Sequence, residues 1–146
     1  QLPAGDLPAE ADSADHLLIA VVGAHLAGLP LNGQLTARGA TLVAVTQTAA
    51  QYRLYALSGA PPARPGLVRV ASGGAAIEVE LWAMPAAAVG GFLAEVPPPL
   101  GIGTLRLADG REVRGFLCEA FAVVDARDIT AYGGWRRYLA ANASTL

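Results

Sequence analysis

Few side chains in this chain can exchange protons near neutral pH, and one of them, His25, stands in a setting made for chemistry. An apolar run, HLLIAVV at residues 16–22, reads as a buried strand. It breaks at Gly23 into a loop, and the stretch VVGAHLAGLPLNGQ (residues 21–34) then carries small residues at Gly23, Ala24, Ala27 and Gly28 around His25. A strand that ends in a glycine-punctuated turn can bring several backbone N–H groups to one point, a nest that suits an anion. The imidazole beside it is the loop's proton-exchanging group. The implied chemistry is proton transfer on a small anion. Taken alone, His25 also reads as a partly buried histidine satisfied by a backbone carbonyl, and Gly23 and Gly28 as plain turn glycines. A second candidate is the carboxylate pair Glu78 and Glu80. They alternate with Ile77, Val79 and Leu81 in AAIEVELWA (residues 75–83), so both point to one face beside Trp82. That face is either solvated or, for one carboxylate, a barrel interior where burial would raise its pKa.

Other chemistries lack their residues. The Gly101-Ile102-Gly103 run has no third glycine and precedes a strand, unlike a dinucleotide-binding turn. The chain has no lysine, so it has no phosphate-binding GK[ST] loop. His16 and His25 with the single Cys118 do not make a zinc site, and there is no GxSxG elbow. No metal and no cofactor are expected.

The composition frames these candidates. With 146 residues and 53% hydrophobic content, one domain can build a sizeable core. The net charge of −2 conceals an asymmetry: Asp6, Glu10, Asp12 and Asp15 crowd the first fifteen residues, and the remaining eight acids face ten arginines. No clustered basic face emerges, which argues against a nucleic-acid partner; Arg136 and Arg137 on a terminal helix read as a solvated face. No apolar run reaches membrane-span length, so no membrane is expected. Cys118, beside Phe116 and Leu117, reads as an inert buried thiol, which fits a reducing, cytoplasmic compartment. Residues 1–15 (QLPAGDLPAEADSAD) have flexible-linker composition, and a start without Met reads as a chain cut from something longer. The domain proper is residues 16–146.

Several elements must position the loop. A short helix over residues 31–38 would face Leu31 and Leu35 inward, with Gly39 as its stop. Strands are expected at residues 41–48, 52–57, 67–71 and 75–83, the last ending at Met84-Pro85, before a helix over 86–95 that Pro97-Pro98-Pro99 terminates. Residues 100–103 (LGIG) read as a tight glycine loop leading into a strand at 104–107. An Asp109-Gly110 hairpin follows, with its partner strand at 112–117. Residues 121–124 would extend the sheet, and a helix over 135–140 closes the chain, its start supplied by Asp128-Ile129-Thr130. The sum is an α+β domain on a curled, mostly antiparallel sheet, a small barrel with two or three short helices.

Six stretches in order resemble one family: GAHLAGLPLNGQLTARGA (23–40), YRLYAL (52–57), RPGLVRV (64–70), AIEVELWAMP (76–85), PPPLGIGTLRLADGREVRGFLCE (97–119) and DITAYGGWRRYLA (128–140). Together they are similar to the C-terminal domain of allophanate hydrolase, across nearly everything after residue 15. The resemblance implies a gamma-glutamylcyclotransferase-like barrel. It implies that a separate amidase domain or subunit, with a Ser-Ser-Lys triad that a lysine-free chain cannot supply, deaminates allophanate to N-carboxycarbamate. It further implies that this domain decarboxylates that product, with His25 as proton-transfer residue. The superfamily's YGxLxxG loop persists at residues 22–28 with Val22 in place of Tyr, whereas its glutamate-bearing LDxxEG stretch is replaced by FLAEVPPPLG, leaving only Glu95 nearby.

The substrate would be a small dicarboxylate-like anion. The pocket candidates are Gly23, Ala24, Leu26, Asn32, Gln34, Arg38 and, from the 99–103 loop, Leu100, Gly101 and Ile102. Arg38 also reads as a helix-end charge near Gly39. Two other readings stand beside this one: a non-catalytic binding or assembly module for an amidase, and a gamma-glutamyl cyclotransferase using Glu78 or Glu80. A homo-oligomer fits either of the first two.

Overall fold

The apolar run that opens the domain becomes the central strand of a closed sheet. The computed structural model describes residues 15–143, so residues 1–14 of the expected linker lie outside the described residues. The strands are β1 (His16–Val21), β2 (Thr41–Gln47), β3 (Tyr52–Ala56), β4 (Pro65–Arg69), β5 (Glu78–Pro85), β6 (Leu100–Arg106), β7 (Glu112–Cys118) and β8 (Arg127–Asp128). The helices are α1 (Gly33–Thr36), α2 (Val89–Leu93) and α3 (Trp135–Asn142), with short 3-10 turns at Ala86–Ala88, Ala120–Val123 and Thr130–Tyr132.

Five strands form one sheet in the order β2-β5-β1-β7-β6, and β4-β3-β8 form a second. β1 pairs antiparallel with β5 on one side and parallel with β7 on the other. A strand covered on both faces has no solvent side to mark with polar residues. Ile19, Ala20 and Val21 are accordingly fully buried, and the segment is a continuous apolar run. The two outer strands of this sheet meet through a bridge between Thr48 and Leu107. The Ala49 N–H donates to the Arg106 carbonyl and the Ala108 N–H to the Gln47 carbonyl, which closes the sheet into a barrel. All the other pairings are antiparallel. The fold class is the expected one, α+β on a small, mostly antiparallel barrel.

Ile77, Leu81, Met84, Leu105 and Leu107 belong to one buried core, which continues through Leu54 and Leu67 of the second sheet to Trp135 of α3. The Asp109-Gly110 hairpin forms as expected, with Gly110 at φ +91° and its N–H donating to the Leu107 carbonyl.

Several boundaries differ from expectation, each for a tertiary reason. The LGIG run is not a loop but the start of β6, because Leu100 through Arg106 pair with β7 along its whole length. Its glycine content reflects packing: a Cβ at Gly103 would lie 2.7 Å from Leu117 Cδ1. β5 runs two residues past the expected end, because its register places Pro85 opposite His16 at the very end of the ladder, where a missing N–H costs little. The expected helix over 31–38 shrinks to Gly33–Thr36, with Leu35 fully buried and Leu31 only partly so. Residues 121–124 do not extend the sheet; Ala120–Val123 form a 3-10 turn that leaves Phe121 exposed.

Candidate functional site

The end of β1 delivers residues 22–30 into a series of tight turns. Gly23 is where the chain approaches β4 most closely: a Cβ there would sit 2.3 Å from Pro65 Cδ, so only glycine fits. The turns are then stitched from within. The Leu26 N–H donates to the Gly23 carbonyl and the Leu31 N–H to the Ala24 carbonyl, and the Asn32 side chain donates to the His25 carbonyl at 2.8 Å. Asn32 is thus a brace for the loop. The amides of Ala24 and His25 have no protein acceptor among the described residues.

His25 itself is buried, with 6% of its surface exposed. Its ring packs edge-on against Phe116 and Phe92, at centroid distances of 4.7 and 5.5 Å. Its Nε2 lies 2.7 Å from Gln34 Oε1. A carbonyl-type oxygen accepts, so in this arrangement Nε2 carries the hydrogen and Nδ1 the lone pair. Burial holds the imidazole's pKa below its ordinary value, the Gln34 bond and the more distant Glu95 work against that, and the charge of Arg64 adds to it. The free site therefore holds a neutral imidazole at neutral pH.

Beside the ring lies a narrow cleft that opens to solvent. Gly23, Ala24 and His25 line it from the loop, Arg64 and Pro65 from the start of β4, Leu100 from β6 and Phe116 from β7. The sequence candidates are thus partly assembled. Gly23, Ala24, His25 and Leu100 reach the cavity, and Gln34 touches it through the His25 ring. Leu26 is instead a core side chain, and Gly101 and Ile102 lie along β6 outside the lining. Arg38 is committed elsewhere: it pairs with Glu95 and donates to the Gln34 and Gly91 carbonyls. The helix-end reading of Arg38 fits that position.

The residue that sequence reasoning missed is Arg64. Its Nε is buried with no hydrogen-bond partner, the only such side-chain nitrogen or oxygen among the described residues. Nothing local marks it. It precedes a proline in a loop-like stretch, 39 positions after His25, and only the pairing of β4 brings it to the cavity.

Of the carboxylate pair, Glu80 takes the buried alternative: it is 4% exposed and accepts hydrogen bonds from the Ala27 N–H, Trp82 Nε1 and Arg136 Nη2, at 2.9, 3.1 and 2.9 Å. Arg136 also donates to the Ala27 carbonyl at 2.7 Å, so it is a clasp between α3 and the His25 loop, not a solvated charge. Cys118 is half-buried, and burial raises its thiol pKa. Among the described residues no three His, Cys, Asp or Glu side chains gather as metal ligands, and no helix is long and apolar enough to cross a membrane.

Comparison with known proteins places these features among relatives. Residues 17–140 match the family model of the allophanate hydrolase C-terminal domain. A urea amidolyase of Saccharomyces cerevisiae is 43% identical over 131 residues, which is 87% of this chain and 7% of that protein. The chain thus spans about 7% of the length of the curated relatives it matches. Among solved structures, Kluyveromyces lactis allophanate hydrolase superposes with a TM-score of 0.85 at 41% identity, over 93% of this chain and 23% of that one. A uropathogenic E. coli-specific protein superposes at 0.80 and 38% identity, over 86% of this chain and 96% of its own. A gamma-glutamyl cyclotransferase, at 12% identity and a TM-score of 0.54, shares the fold alone.

Proposed function

This chain belongs to the allophanate hydrolase C-terminal domain family, within a urea and allophanate degradation context, and we propose that it decarboxylates N-carboxycarbamate without a cofactor, with His25 transferring the proton. The observation that carries the reading is a buried imidazole at a cavity that Arg64 and the loop residues Gly23 and Ala24 also line. N-carboxycarbamate is a compact dianion. Guanidinium and amide N–H groups in a mostly apolar lining bind it without lysine, and their charge is felt strongly there.

The dianion's arrival reverses the electrostatics at His25. Its negative charge offsets Arg64 and favours the imidazolium, so the Nδ1 lone pair takes up a proton as the substrate binds. One carbon–nitrogen bond then breaks. Carbon dioxide leaves, the electron pair stays on nitrogen, and the imidazolium returns its proton to that nitrogen, giving carbamate. Positioned proton transfer of this kind contributes about 10²–10⁴-fold. The substrate would come from an amidase domain or subunit of allophanate hydrolase type, in the cytoplasm.

The test is carbon dioxide release from N-carboxycarbamate generated in place by an amidase that lacks this domain. Acceleration above the uncatalysed rate is expected on adding the chain. No acceleration would favour the second reading, an assembly module, for which the observation is the exposed Phe121 and Val124 beside a surface groove.

A further inference from the structure

We propose that Arg64 is the carboxylate-binding cation of the His25 cavity, gripping one end of a compact dicarboxylate while the loop amides of Ala24 and His25 receive the other. The inference rests on the reading of the site as one that handles such a dianion, and it assigns that site's affinity and its choice of two charges over one to a specific side chain.

Three observations converge on Arg64. The first is an unmet donor. A guanidinium N–H buried without an acceptor is costly, and native interiors rarely leave one so unless a ligand or water completes it. The other arginines around the site are engaged: Arg38 with Glu95, and Arg136 with Glu80. The second is position. Arg64 lines the His25 cavity and also the adjoining one, roofed by Leu57, Ser58 and Pro99, so it stands where the two meet. The third is anchorage. Its carbonyl accepts from the Leu57 N–H at 3.0 Å, and the next residue, Pro65, is the one that abuts Gly23. The backbone carrying the guanidinium and the backbone carrying the amides are therefore in direct contact, which fixes the spacing of the two anion-binding elements.

The chemistry selects the ligand class. A guanidinium presents a planar fork that meets a carboxylate with two parallel hydrogen bonds, and lysine does not reproduce this. A single carboxylate would satisfy either Arg64 or the amides and leave the other unmet. Two carboxylates on one central atom satisfy both.

Malonate, which has the same carboxylate–atom–carboxylate frame and does not lose carbon dioxide under these conditions, is the probe. Calorimetric titration of the wild-type chain is expected to give binding to malonate at least tenfold tighter than to acetate. Arg64→Met should weaken malonate at least tenfold and abolish that preference. Arg64→Lys, which keeps the charge and loses the fork, should fall between them and serves as the readout should Arg64→Met unfold. His25→Ala is expected to lose turnover while still preferring malonate to acetate, since Arg64 and the loop amides remain in place. Folded Arg64→Met and Arg64→Lys proteins with wild-type malonate affinity would overturn the assignment, even with decarboxylation intact. A wild-type chain that neither binds malonate nor accelerates carbon dioxide release would overturn the underlying reading, and the assignment with it.

Discussion

His25 Nε2 and Gln34 Oε1 lie 2.7 Å apart, nine residues removed in the chain, and this bond sets which ring nitrogen carries the hydrogen. With the hydrogen committed to Gln34, the lone pair sits on Nδ1. Gln34→Leu is expected to leave that N–H unmet in a buried setting, at about 1–3 kcal/mol. It should also lower the imidazole pKa further, because the Gln34 bond is what pulls it up. Gln34→Glu should raise it by adding a negative partner. Proton NMR titration of the His25 ring in the three proteins reads both directions.

The same ring makes stability depend on pH. Folding holds the imidazole pKa below its ordinary 6.5, so between the two values the unfolded chain binds more protons than the folded one. The stabilisation is fully present above the unfolded value and is lost as pH falls toward and through the folded one. Urea midpoints measured from about pH 7 down to about pH 5 should fall, and a His25→Gln variant should lose that part of the slope.

The Glu80 clasp is expected to hold the loop. Glu80→Ala strips the Ala27 N–H, Trp82 Nε1 and Arg136 of their shared acceptor, at about 1–3 kcal/mol, at the low end of buried pairs because Arg136 is 39% exposed. Glu80→Gln retains an amide oxygen for the Ala27 and Trp82 donors and should cost less. Denaturant unfolding gives the energies, and hydrogen exchange at the Ala27 amide shows whether the loop itself loosens.

Two glycines of the loop make a contrasting pair. Gly23→Ala forces a Cβ into Pro65 and is expected to cost about 1–3 kcal/mol and to impair turnover, because Arg64 moves with Pro65. Gly28 has φ +80° and open space around it, so Gly28→Ala should cost about 1 kcal/mol from the backbone alone and leave turnover near wild type. Thermal unfolding and rate measurements on both separate the close approach from the backbone conformation.

Where chemistry was legible in the sequence, it was legible because the signal was local. The run at residues 16–22 and the Asp109-Gly110 turn each carry their conformation in neighbouring residues, and each formed as expected. What was not legible depended on partners far along the chain. The alternation at Glu78 and Glu80 left open whether either is buried; Arg136, 56 positions on from Glu80, is the partner that meets it inside. The LGIG run looks like a loop until β7 pairs with it. Arg64 reaches the cavity through β4, and no spacing rule links it to His25. Leu26, by contrast, neighbours the imidazole in sequence and points into the core.

The central claim is that this imidazole moves the proton as carbon dioxide leaves. The most direct measurement is the rate of carbon dioxide release from freshly generated N-carboxycarbamate with wild-type and His25→Ala chains, after circular dichroism has shown both to be folded. The account predicts a fall of about 10²–10⁴-fold in the catalysed rate. An unchanged rate in the folded variant would contradict it.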